Sequence, residues 1–337
     1  MRLLTTMALG LFLTYNLFGQ DDKIKELVSQ GTELHDQGKY DEAISKYKAA
    51  LEIDKNSTLA NYELSFTYMA AEQYDNAVKY SKIVIEQNAE NQHGAYIVLG
   101  SSFDMLNKPD KAIKAYQEGL EKFPNSNLLN YNLALTSYKQ KDYDNAEKAS
   151  INAIIAKPSH GTSHIILSAT VKAKGERVKS ILPLYYFLML EPNSKRSLIN
   201  YNSLVDQLGQ GVKEENEKNI TVHVPNSSTK DSFFGAADMM ISLLAASRYT
   251  EENKNKSEMD FFIETNKGFF SVLGELKKEN KGFWWDLYVT KFYDLVQSDN
   301  CEAFSYYISQ STNSADVNKW ISDNADKMQK FKDWMNK

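Results

Sequence analysis

Gly38-Lys39-Tyr40-Asp41-Glu42-Ala43-Ile44-Ser45-Lys46-Tyr47-Lys48-Ala49-Ala50-Leu51 returns, a hundred residues on, as Asp142-Tyr143-Asp144-Asn145-Ala146-Glu147-Lys148-Ala149-Ser150-Ile151-Asn152-Ala153, closed by Lys157-Pro158. Around these two segments, the small residues Gly31, Ser65, Gly100, Ala134 and Ser168 stand 34, 35, 34 and 34 apart. Ala43, Ala77, Ala112, Ala146 and Ser180 keep the same spacings, and so do Lys55, Ala89, Pro124, Pro158 and Pro192. One extra residue therefore sits between Ala89 and Gly100, at a turn around Glu90-Asn91. Fixed self-similarity of this length identifies a repeat architecture. Each copy holds two helix-length apolar patterns split by a short polar break, such as Leu128 to Lys139 and Tyr143 to Ala156. Small residues recur where two helix axes must approach. Tyr40, Tyr74 and Tyr143 fall at the hairpin turn, where a ring covers the end while its hydroxyl stays wet. Pro124, Pro158 and Pro192 fall just past a helix end, where no further helical N–H is required.

On these residues the chain resembles the tetratricopeptide-repeat family. The resemblance covers about residues 24 to 193 as five copies, at about 24–57, 58–92, 93–126, 127–160 and 161–194. It implies an all-α fold, an alpha-alpha superhelix followed by a helical C-terminal region. The copies depart from the pattern in places: Pro109 replaces the turn tyrosine in the third and Arg177 in the fifth. The fifth copy, through Leu182-Pro183-Leu184-Tyr185-Tyr186-Phe187-Leu188-Met189-Leu190, is the most apolar, as expected if the C-terminal region packs on it. A two-helix unit leaves one apolar face open and must be stacked on or capped.

The first twenty residues read differently. Arg2 precedes an almost uncharged run, Leu3 to Phe18, and Gly19-Gln20 leads abruptly into Asp21-Asp22-Lys23. This is the layout of a cleavable secretory signal. No cysteine follows the run, so lipoprotein attachment there is excluded, and no stable membrane span is expected after cleavage. The expectation is a secreted or periplasmic bacterial protein. Net charge is −5 over 337 residues, with 42% hydrophobic and 25% charged residues, which is ordinary globular material. No Lys/Arg cluster has nucleic-acid-binding density, which argues against DNA or RNA. The single Cys301 rules out an internal disulfide framework and a multi-cysteine zinc site.

Beyond Ser194 the ladder fails. Ser197 to Leu208 still reads as a helix, and residues 209 to 231 as a hinge or long excursion with a short strand-like stretch, Ile220 to Val224. Asp231 or Ser232 caps a helix through Leu244, and further helical patterns run at about 257–279, 282–298, 301–311 and 315–335. Phe283 to Tyr293 is very aromatic, with apolar positions on more than one face.

Position within the repeat assigns the candidate site. In the family, the first helix of each pair lines the concave surface. Carried over, this implies a partner-binding groove of Tyr62, Phe66 and Met69 from the second copy, Ile97 from the third, and Tyr131, Leu135 and Tyr138 from the fourth. Ser101 and Asp104 of the third copy, and Val28, Thr32 and His35 of the first, complete the row. Such a surface grips extended or helical peptides. The competing reading is that these side chains simply pack on neighbours. The basic clamp with which some relatives hold a terminal carboxylate is absent: its positions carry Val28, Thr32, Gly94 and Val98.

His160 and His164 have ligand spacing, but Gly161-Thr162-Ser163 lies between them and no third ligand accompanies them, so no metal is expected. Cys301, in an apolar stretch with no motif or base beside it, reads as a small core residue. No nucleophile elbow, phosphate loop or dinucleotide fingerprint occurs. The expectation is a non-catalytic scaffold that binds a protein or peptide, in an envelope assembly, with no cofactor. The alternative is an array that recruits substrate to a catalytic C-terminal domain. Self-association, with the C-terminal helices in a neighbour's groove, is a third arrangement.

Overall fold

The structure, a computed structural model, describes residues 20–88, 90–216, 219–222 and 232–336. The expected signal segment thus lies, but for Gln20, outside the described residues, as does most of the stretch from 217 to 231. The described residues form 17 α-helices and one small hairpin. They divide into two compact units between Gln140 and Lys141.

The first unit is built of helix pairs: α1 (residues 20–36) with α2 (Tyr40–Ile53), α3 (Thr58–Ala70) with α4 (Tyr74–Gln87), α5 (Gln92–Met105) with α6 (Pro109–Lys122), and then α7 (Asn127–Lys139). Serine side chains start two of the first helices: Ser57 accepts from the Ala60 N–H and Ser126 from the Leu129 N–H. Asn61 and Asn130 then tie those helices to the preceding turns, each donating its amide to carbonyls four and six residues back.

Within every pair the turn needs one residue in the left-handed region. The residues there are Gly38, Glu72, Asn107 and, at the turn after α7, Lys141, with φ of 75°, 59°, 55° and 61°. They form a fourth ladder in step with the others, hidden in the sequence because one of these four is glycine. The extra residue of the third copy is absorbed between α4 and α5, where Asn88 and Asn91 are both left-handed, at φ 49° and 69°. The turns after α2 and α6 instead leave through extended or bridging residues, Asp54 and Phe123.

The small-residue ladder marks where a ring from the second helix crosses the first. A Cβ on Gly31 would lie 2.5 Å from Tyr47 Cε1, and one on Gly100 would lie 2.2 Å from Tyr116 Cε1. Between them, in the second copy, both corresponding positions are serine, Ser65 and Ser81, each fully buried. Where the first helix carries no side chain the second fills the space with a tyrosine. Both tyrosines are buried to the hydroxyl, Tyr47 donating to Thr32 Oγ1 and Tyr116 sharing a hydrogen bond with Ser101.

The second unit begins with α8 (Tyr143–Ala156) and α9 (Gly161–Ala173), clasped by Lys174, whose Nζ lies 2.7 Å from both Asp144 and Glu147. Its centre is α10 (Arg177–Leu190), of whose fourteen residues eleven are buried. A helix presents a different face every residue, so burial of this extent means neighbours on every side. They are α9, α11 (Ser197–Gly209), α12 (Ser232–Ser247), α15 (Cys301–Ile308) and a π-helical stretch, Trp284–Val289, that leads into α14 (Thr290–Gln297). Pro183 inside α10 supplies no N–H to the Lys179 carbonyl four residues back, and one turn of α10 is tied to α9 by Ser168 Oγ, which donates to the Ser180 carbonyl at 2.6 Å. Tyr185 of α10 packs among Phe270, Phe292 and Phe304, its hydroxyl donating to Asn266 of α13 (Glu258–Leu276). The π-helical stretch carries more residues per turn than an α-helix, which is why its aromatic positions fit no single α-helical stripe.

The expected helices at 282–298 and 301–311 are thus present in outline. The last expected one is two, α16 (Ala315–Asp323) and α17 (Ala325–Met335), broken at Asn324. The strand-like stretch is β2 (Asn219–Val222), paired antiparallel with β1 (Val212–Asn216), Val212 opposite Val222. The partner strand reads Val-Lys-Glu-Glu-Asn, too polar to be recognised as one.

Candidate functional site

The first helices of the first unit stand side by side: α3 against α5, and α5 against α7. On α1, His35 stacks on Phe66 of α3 with ring centroids 5.1 Å apart, and its Nδ1 lies 2.8 Å from Thr67 Oγ1. The seven expected groove residues therefore share one row of neighbouring helices. None is fully buried; six are half-buried, and Phe66 is exposed, at 38%.

Their surroundings differ. The Tyr62 ring lies across Gly94 of α5, so close that a Cβ there would come within 2.5 Å of it. Met69 packs on the core of the first two pairs and Ile97 on that of the third. Tyr62 thus joins the second repeat to the third as well as standing in the row. Tyr131, Leu135 and Tyr138 are half-buried on α7.

Polar groups break the apolar row at two places. Asp104 of α5 accepts a short hydrogen bond from Thr136 of α7, and burial still holds its carboxyl above the usual range, against the pull of that bond and of Lys139. Glu63 of α3 is half-buried, and its carboxyl is pushed up by burial first and by Asp36 of α1 second. Neither Glu63 nor Asp36 has an ion-pair partner among the described residues. Sequence reasoning passed over both because it followed the apolar positions. The available signal was that Glu63 is the one charged residue in α3, TLANYELSFTYMA.

The chemistry-bearing residues of the second unit are spent on packing. His164 Nε2 lies 2.8 Å from the Pro158 carbonyl, which can only accept, so Nδ1 takes the proton of Tyr288 Oη, also at 2.8 Å. Both ring nitrogens are thereby engaged. Its repeat position is that of Asn61 and Asn130, and like them it ties its helix to the carbonyl six residues back. His160 instead pairs with Ser163, 2.7 Å away. Cys301 is fully buried, and burial pushes its thiol up to about 12. Arg177, which takes the turn-tyrosine position in the fifth copy, is buried with Asp238 of α12, at 2.5 Å, and also donates to Ser242 and to the carbonyls of Asp238 and Gln210. Among the described residues no three His, Cys, Asp or Glu side chains gather as a metal site. No helix among them is long and apolar enough to cross a membrane.

A family model described as TPR repeat matches residues 31–71, and one described as Tetratricopeptide repeat matches residues 62–127 and 97–161. The array is made of tetratricopeptide repeats. A curated relative is the Hsp70-Hsp90 organising protein of Plasmodium falciparum (isolate 3D7), 28% identical over 131 residues, which are 37% of this chain. The chain spans only 22% of that relative's length. Among solved structures the tetratricopeptide chain is similar to MamA, with 23% identity, a TM-score of 0.45, and coverage of 51% of this chain and 93% of that one. It is also similar to YrrB, described as a TPR protein with an unusual peptide-binding site, with 18% identity, a TM-score of 0.44, and coverage of 56% and 96%.

Proposed function

We propose that this tetratricopeptide protein is a non-catalytic scaffold that holds a segment of a partner protein on the first-helix row of its first four repeats. The observation that carries the reading is the row itself. Phe66, Tyr62, Tyr131, Leu135 and Tyr138 lie on adjacent helices and none is fully buried. Aromatic side chains grouped in this way dominate the energetics of protein interfaces. The peptide-binding of YrrB, as its description gives it, is consistent with such use of the fold.

We also place the protein outside the cytoplasm, in a bacterial envelope assembly, on the strength of the run from Leu3 to Phe18 behind Arg2. Cell fractionation of the native host tests that half: recovery with cytoplasmic markers, unprocessed, overturns it. The binding half is tested by crosslinking and capture of the full chain from native extract, in parallel with a Phe66→Ala/Tyr138→Ala variant of unchanged helicity. The expected result is a partner that the variant loses. Equal recovery by both chains would remove the groove from the account.

A further inference from the structure

We infer that the segment held on this row is a basic, apolar one: an extended stretch of a partner protein that seats a lysine or arginine between Asp36 and Glu63 while large apolar side chains cover Phe66 and Tyr62. The inference rests on the binding reading above and adds the chemistry of the occupant. Its ground is the charge pattern of an otherwise apolar surface.

The second helix-pair's row positions are Tyr62, Phe66 and Met69, and Ile97 follows on α5. Beside these apolar groups stands Glu63, half-buried one helical turn from Phe66, whose ring stacks on His35 next to the exposed Asp36 of α1, and neither carboxylate has an ion-pair partner among the described residues. A carboxylate withdrawn from water beside a second one is an unfavourable arrangement that an incoming cation relieves. Glu63 is half-buried, so its attraction for a seated cation is screened less than at an open surface, while the exposed Asp36 adds a weaker pull. The far end of the row is different. Asp104 already has the Thr136 hydroxyl and the field of Lys139, so the first and second repeats are where the charge remains unanswered. An acidic segment is disfavoured at both ends by the same carboxylates.

The geometry also limits length. Packed helices lie about 8–10 Å apart, so three steps from α1 to α7 span roughly 25–30 Å. At about 3.3 Å per residue an extended segment crosses them in about nine residues, or about three residues per repeat.

The test uses the full chain and three fluorescent peptides of about that length, blocked at both ends, with leucine at every third position. They differ only in carrying lysine, glutamine or glutamate at the others. Fluorescence anisotropy is expected to rank them lysine over glutamine over glutamate, the first two about tenfold apart, as for one charge-assisted contact. Asp36→Asn/Glu63→Gln is expected to abolish the lysine advantage and leave the glutamine peptide unaffected, while Phe66→Ala weakens all three. Equal binding of the lysine and glutamine peptides, or a preference for glutamate, overturns the basic-segment inference and leaves the groove reading standing. Binding that Phe66→Ala does not change, or no binding by any of the three, overturns both.

Discussion

Consider Gly100→Ser. A Cβ at this position falls 2.2 Å from Tyr116 Cε1 and 2.6 Å from Cδ1 and Cζ, distances that no side chain tolerates. Tyr116 cannot step aside, since its ring is only 1% exposed and its hydroxyl is held at Ser101. Forced overpacking of this kind costs about 1–3 kcal/mol, and replacing a helical glycine returns a few tenths. A net loss of about 2 kcal/mol is expected. Tyr116→Ser alone empties a buried site and should cost about 3 kcal/mol, in the range of large-to-small core changes. The double variant recreates the pair that the second repeat already uses, Ser65 with Ser81. It removes the clash and partly refills the hole, so the expected loss is about 3 kcal/mol rather than the additive value of about 5, a coupling of about 2 kcal/mol. Hydrogen exchange of the α5 and α6 amides in the full chain measures this locally, without assuming that two units unfold together. Losses that add to within about 0.5 kcal/mol would refute the idea that glycine is there to admit the ring.

Other outcomes are as definite. Lys141, at φ 61°, occupies a backbone conformation that glycine adopts freely, so Lys141→Gly should stabilise by up to about 1 kcal/mol, against the loss that glycine normally causes; denaturant midpoints decide the sign. Arg177→Met should cost about 3–5 kcal/mol by stranding buried Asp238, whereas Arg177→Met/Asp238→Leu should recover most of it; exchange at α10 and α12 amides reads both. His164 is buried neutral, its pKa lowered from 6.5 to about 4, chiefly by desolvation. The unfolded chain therefore binds the extra proton first: this contribution is complete above about pH 6.5, declines as pH falls towards about 4, and is flat below. About 3 kcal/mol is at stake, so replacing His164 by Gln should shrink the stability difference between neutral and acid pH by that amount in urea melts. Cys301 should resist alkylation at pH 8 for as long as the second unit stays folded, and rapid native-state labelling would contradict its burial.

The fold was legible wherever a physical requirement admits few residue types. Small residues under a crossing ring, prolines past helix ends and alanines between paired helices all survive as ladders, because substitution there is penalised by sterics. The left-handed turn position escaped notice although it is as strictly periodic. A turn of this kind costs a non-glycine residue only about 1–2 kcal/mol, so glutamate, asparagine and lysine stand in for glycine at Glu72, Asn107 and Lys141. The turn around Glu90-Asn91 was located correctly for the extra residue, but not its mechanism, two left-handed asparagines. The candidate row came from the family resemblance, which sets the first helix of each pair on the concave surface, and helical spacing then puts Tyr62, Phe66 and Met69 on one face of α3. The further duties of Tyr62 at Gly94, and the unanswered Glu63, depend on which helix stands beside which. Arg177 and His164 looked like departures from the pattern. Their partners, Asp238 and Tyr288, lie 61 and 124 residues away, beyond the reach of any local reading.

Enclosure of α10 bears on how such a protein changes length over evolutionary time. Repeat arrays grow and shrink by duplicating a unit, and a new unit survives only if its neighbour offers a free apolar face. With eleven of its fourteen residues already buried by α9, α11, α12, α15 and the π-helical stretch, α10 has no such face left. A sixth copy inserted after Leu190 would have to evict Tyr185 from its nest of phenylalanines before it could dock. Variation in repeat number among descendants of this chain should accordingly be confined to the stretch ahead of the fifth copy, with the last repeat and the helices that enclose it inherited as a block.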